Sequence, residues 1–104
     1  MERIAFKMQL YKGQAEEYKR RHNEIWSELA KLLKENGIRD YSIFLDDETN
    51  TLFASLKVES SKKLESLPSH QIMMKWWRYM ADIMHTNTDN SPISVRLSEV
   101  FYLE

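Results

Sequence analysis

Residues 3–10, RIAFKMQL, place an apolar side chain at every second position. Ile4, Phe6, Met8 and Leu10 share one side, and Arg3, Ala5, Lys7 and Gln9 share the other. A period of two predicts a β-strand with one face against a core. The pattern returns in 39–46, RDYSIFLD, where Tyr41, Ile43 and Leu45 oppose Ser42 and Phe44, and in 51–58, TLFASLKV. The short DDETN turn between these two makes them a hairpin. A fourth strand is expected in VRLSEVFYL, 95–103. Between strands the period lengthens to that of a helix. Residues 14–36 carry Ala15, Tyr18, His22, Ile25, Trp26, Leu29, Leu32 and Leu33 on one stripe, with Glu16 and Glu17 in the first turn and Gly37 as the stop. A helical turn is expected over 61–67, before Pro68. A second long helix is expected from Ser69 to Met84, with Ile72, Met73, Trp76, Met80, Ile83 and Met84 inward. HTNTDNSPIS reads as loop.

The order is βαββαβ, an α+β, ferredoxin-like arrangement with helices on one face of an antiparallel sheet. At 104 residues, with no repeat and no linker, residues 1–104 form a single domain. Helices cover only one face of such a sheet, yet apolar residues occur on both faces of the later strands. Phe44 opposes Ile43, Phe53 opposes Leu52, and Val100 and Tyr102 oppose Leu97 and Phe101. Face-to-face packing of two sheets in a homodimer, a dimeric α/β barrel, would bury that second set.

Composition removes several function classes. The chain has no cysteine, so disulfides and thiolate metal sites are excluded. Lys+Arg number 15 against Asp+Glu 16, a net charge of −1 that gives no basic excess for nucleic acid or an anionic membrane surface. The basic YKRRH run is flanked by Glu16, Glu17 and Glu24 and reads as an exposed, salt-bridged helix face. No segment approaches the ~18 apolar residues of a membrane helix. The start MERIAFKMQL lacks the apolar run of a signal peptide. The expectation is a soluble cytoplasmic protein.

A few polar residues sit where chemistry is possible. His22 has an ordinary pKa near ~6.5, suited to moving protons at neutral pH. Tyr18 lies one helical turn earlier on the same stripe, so both side chains reach a common point. A lone histidine on an apolar stripe is also compatible with a half-buried residue satisfied by a backbone carbonyl. In KWWRYM, Trp76 and Trp77 point ~100° apart, so one can be core while the other edges a cleft and stacks on a sugar. Tyr41 opens the second strand on the apolar side, and its hydroxyl needs a polar partner there. Asp89 and Asn90 are expected to shape a turn; closure of this polar loop over a site beside the second helix is the alternative. His22, His70 and His85 lack metal-ligand spacing, so no metal site is expected. No nucleophile motif or glycine-rich nucleotide loop is present.

Taken together, YKRRHNEIWSEL, YSIFLD, LFASLKVES, KWWRYMADIM, NTDNSPIS and EVFYL closely resemble the L-rhamnose mutarotase family over nearly the whole chain. The double tryptophan and the RRHN core are the most specific parts. The resemblance implies an isomerase that interconverts the α and β anomers of L-rhamnose without a cofactor, and that dimerises through its sheets. It also implies His22 as proton donor and Tyr18, Tyr41, Trp76 and Trp77 as sugar contacts. Glu24 departs from a common proline of the family, and Thr88 from its NPDNSP loop. Both lie outside that contact set. Another aldose as substrate, an oxygenase on the same fold, or a non-catalytic sugar-binding dimer are the alternatives.

Overall fold

The computed structural model describes residues 1–104. Four strands run β1 (Glu2–Gln9), β2 (Ile38–Asp46), β3 (Thr51–Val58) and β4 (Val95–Leu97). They form one antiparallel sheet in the order β2-β3-β1-β4. Four α-helices, α1 (Ala15–Asn23), α2 (Ser27–Glu35), α3 (Ser61–Glu65) and α4 (Gln71–Met80), complete the fold, with a 3₁₀ turn at Leu67–Ser69. The alternation of β1 is borne out: Ile4 and Met8 are buried and Arg3 and Lys7 are exposed. The main core joins Met8, Leu10, Leu52 and Ala54 of the sheet side to Tyr18, Leu29, Met73, Trp76 and Met80 of the helices. A second cluster of Ile4, Ile38, Leu56, Val58 and Leu67 closes the other end. Together they give the α+β, ferredoxin-like layering that the sequence implied.

Three elements differ from the sequence pattern. The single helix over 14–36 is two helices, because Trp26 is extended (φ −60°, ψ 132°) and caps the start of α2. Its indole packs edge-on against Trp76, 5.1 Å between centroids, and stacks on Tyr79 at 5.5 Å. The apolar period runs on through the break, so periodicity alone does not reveal it. The second long helix is shorter than Ser69–Met84, ending at Met80, and a tight turn lets the Ile83 N–H donate to the Met80 carbonyl. Ile83 and Met84 stay buried all the same.

The fourth strand is only Val95–Leu97, and residues 98–104 leave the sheet. Arg3 holds that tail by an ion pair with Glu99 at 2.9 Å and by placing its guanidinium 3.4 Å from the Tyr102 ring centroid. An edge strand persists when its side chains pack, and those of Val100, Phe101 and Leu103 find little to pack on: they are 95%, 77% and 79% exposed. The helix-free sheet face carries exposed Phe44, Phe53 and Val95, as the two-sided pattern of β2 and β3 implied.

Candidate active site

A cleft of about 1360 Å³ opens between the helices and the covered face of the sheet. Phe6, Tyr18, His22, Tyr41, Trp76 and Trp77 line its aromatic part. All five residues singled out from the sequence therefore meet in one concavity, although they come from α1, β2 and α4. A monosaccharide would fill only part of this volume, since small-molecule pockets typically measure ~300–1,000 Å³.

The i, i+4 spacing on α1 does what the stripe implied. Tyr18 and His22 stack with centroids 4.2 Å apart and an interplanar angle of 29°. Trp76 meets the imidazole edge-on at 5.4 Å. Nδ1 of His22 lies 3.0 Å from the Tyr18 carbonyl oxygen. A carbonyl only accepts, so Nδ1 carries the proton and Nε2 is the nitrogen left for chemistry. Burial pushes the His22 pKa below its ordinary value, and the bond to the Tyr18 carbonyl opposes that shift without cancelling it. The resting imidazole is consequently neutral at neutral pH.

Tyr41 reaches the cleft through a β-bulge. Arg39 pairs with Lys57 and Ser42 with Ser55, so Asp40 and Tyr41 together oppose Leu56. Ile38 faces the core before this point. Strict alternation would then send Tyr41 to the bare face; the extra residue brings Tyr41 and Ile43 round to the covered one. Asp40 takes up the bend at φ 50°, a backbone region that aspartate tolerates better than most residues. The Tyr41 ring packs against Phe6 at 6.5 Å, and the residue is 39% exposed. Crowding by protein nonetheless pushes its pKa up to about 12. Burial raises the Tyr18 phenol too, with a further push from Tyr41, so both are proton-bearing donors at neutral pH. No buried side-chain nitrogen or oxygen is both sealed from solvent and unpartnered. Neither hydroxyl has a hydrogen-bond partner within the chain; that of the buried Tyr18 therefore keeps some access to solvent, and Tyr41 is itself exposed.

The tryptophan pair divides as the ~100° step implies. Trp76 is buried in the core at 6% exposure, while Trp77 is half-buried and packs on the core from its margin. Both border the cleft. Asp89 accepts from the Ser91 N–H at 3.0 Å, and Asn90 has φ 70°; both shape the turn. The basic run divides as well. Arg20 is solvated and paired with Glu17 and Glu24, as expected of it. Arg21 is instead buried at 8% exposure. Its partner Asp82 lies 61 residues away, which no local pattern reveals. Trp26 and Asp40 were also missed as site-building residues. The departure from alternation that Ile38 and Tyr41 share on one face was the available signal for the bulge.

This is a small α+β domain in which one cleft joins a histidine, two phenols and two indoles, side chains able to grip a sugar by hydrogen bonds and stacking. The sequence model described as L-rhamnose mutarotase matches residues 3–103. An L-rhamnose mutarotase of Formosa agariphila is 57% identical, covering all of both chains. A crystal structure of an L-rhamnose mutarotase from that organism superposes with a TM-score of 0.94 at 56% identity, again over the full length of both. A putative antibiotic biosynthesis monooxygenase from Nitrosomonas europaea, 13% identical, covers 97% of this chain and 100% of its own with a TM-score of 0.63; it shares the fold alone. The chain belongs to the L-rhamnose mutarotase family, and it is an isomerase acting on the anomers of a sugar.

Proposed function

We propose that the cleft interconverts the α and β anomers of L-rhamnose, with His22 moving the proton and no cofactor taking part. Mutarotation opens the pyranose ring and recloses it on the other face of C1. The ring oxygen gains a proton as its bond to C1 breaks, and the anomeric hydroxyl loses one as the carbonyl forms. Nε2 of His22, once protonated, donates to the ring oxygen and recovers the proton at closure. A lowered pKa makes that protonated form scarcer and more acidic. The anomeric proton passes to a base, for which Tyr18, water or a backbone carbonyl are the candidates. Tyr18 and Tyr41 orient hydroxyls by hydrogen bonds, and Trp77, backed by Trp76, stacks on the apolar side of the 6-deoxy sugar. General acid–base assistance is worth ~10²–10⁴-fold, enough for a reaction that also proceeds unaided.

The observation that supports this reading is the tethered Nδ1 of His22, which leaves Nε2 as the working nitrogen of an aromatic cleft. The test is α/β exchange of L-rhamnose by saturation-transfer NMR, with the intact protein and His22→Ala compared. Fast exchange lost in the variant with binding kept supports the assignment; full turnover in the variant removes it.

Assembly as a homodimer through the bare sheet faces belongs to the same proposal. Exposed Phe44 (69%), Phe53 (40%) and Val95 (52%) on that face, with the apolar tail beside it, supply a surface that one protomer leaves wet. No helix is long and apolar enough to cross a membrane. A cytoplasmic site of action accords with a chain without cysteine.

A further inference from the structure

We propose that Arg21 is a positioning residue for the proton transfer: it locks the roll of α1 against the end of α4 and so aims His22 into the cleft. The inference rests on the assignment of His22 above.

Arg21 is the one charged side chain that is buried. Its Nε donates to Glu17 Oε2 at 2.7 Å within α1. Nη1 donates to the Tyr79 carbonyl and to Asp82 Oδ1, each at 2.8 Å, and Nη2 donates to Asp82 Oδ2 at 3.2 Å. Tyr79 is in the last turn of α4, where a carbonyl has no partner further along the helix. The guanidinium therefore closes the end of α4 while forking onto Asp82 just beyond it. It also lies 4.5 Å from the Tyr79 ring centroid. These bonds tie a side chain of α1 to α4 and its following turn.

The geometry carries the lock directly to His22. Neighbouring residues on a helix project ~100° apart, so fixing the direction of one fixes the other. The same contacts brace the second wall: Tyr79, held by the guanidinium, packs on Trp76 at 5.6 Å, and Trp76 meets the His22 ring. One side chain thus sets both the imidazole and the indole beside it. Lysine keeps the charge but not the fork, and cannot hold Tyr79 and both Asp82 oxygens in one plane.

The test compares Arg21→Lys, Arg21→Met and Asp82→Asn with the parent by saturation-transfer NMR of L-rhamnose, each normalised to folded protein by far-UV circular dichroism. The expected result for Arg21→Lys is a fall in kcat of ~10–100-fold, as for misplacement near a reacting group, with KM within about twofold. Asp82→Asn follows in the same direction by a smaller factor. A double-mutant cycle at high enzyme concentration separates positioning from simple loss of structure. In a His22→Ala background Arg21→Lys should cost nothing further, because there is no imidazole left to aim. An equal loss in both backgrounds overturns the proposal, as does a raised KM with unchanged kcat. Should Arg21→Met not fold, Arg21→Lys and Asp82→Asn decide the matter. A His22→Ala variant with full turnover ends both this inference and the assignment beneath it, whereas silent Arg21 variants beside an inactive His22→Ala end this inference alone.

Discussion

Truncating the two tryptophans separately should give two different kinds of failure. Trp76 is 6% exposed and touches His22, Trp26 and Tyr79, so nearly its whole ring is out of water. A buried aromatic removes ~150–250 Å² from solvent, worth about 4–6 kcal/mol at ~25 cal/mol per Å². Measured truncations of buried aromatics to alanine cost ~3–5 kcal/mol. Domains are stable by ~0.05–0.15 kcal/mol per residue, so the loss is a large share of the ~5–15 kcal/mol expected of this one. For a domain of this size it lowers Tm by roughly 15–30 °C. Trp77 is half-buried, and its truncation should cost ~1–2 kcal/mol of stability on the same area scale. It should raise KM for L-rhamnose about tenfold, or ~1.4 kcal/mol of binding. Thermal unfolding followed by circular dichroism, with anomer exchange measured at 15 °C below each variant's midpoint, reads both quantities. A Trp76→Ala protein that melts within about 4 °C of the parent refutes the buried-anchor argument, because less than ~1 kcal/mol would then have been lost. An unchanged KM in Trp77→Ala removes the stacking role.

Other outcomes follow from the same structure. If protonated His22 is the acid, kcat/KM should fall as pH rises through its lowered pKa; a rise over that range would make neutral His22 the base instead. Glu17 is held well below the usual carboxylate range, at about 2, by hydrogen bonds from Arg20 and then Arg21. A depressed carboxylate stabilises the fold above its unfolded value, and that share is lost as pH drops from 4.5 to about 2, so Glu17→Gln should flatten acid unfolding in this window. Phe44→Glu together with Phe53→Glu should halve the mass seen by sedimentation equilibrium; a parent that sediments as a monomer would dispose of the sheet-face dimer.

Strands β1 to β3 and the pairing of Tyr18 with His22 were legible because both rest on short-range periodicity. Tyr18 and His22 share a helix face through their spacing, and β1 sorts its faces residue by residue. The parts that were not legible depend on distant partners. The break before Trp26 leaves the apolar stripe intact, and its packing partners Trp76 and Tyr79 lie about fifty residues on. Arg21 looks identical to Arg20 in the sequence, yet only one of them faces Asp82. The last strand fails for a different reason: residues 100–103 are apolar at four successive positions, and nothing in the chain covers Val100, Phe101 or Leu103.

The extra residue in β2 also makes that strand two half-strands counted out of phase. Before Asp40 the even position Ile38 faces the helices; after it the odd positions Tyr41, Ile43 and Leu45 do. A saturation scan along 38–46 should therefore show its tolerance for charge switch parity at Asp40. Any graft or deletion that changes the count there by one would exchange the wall of the cleft for the outer face of the sheet, leaving composition almost untouched.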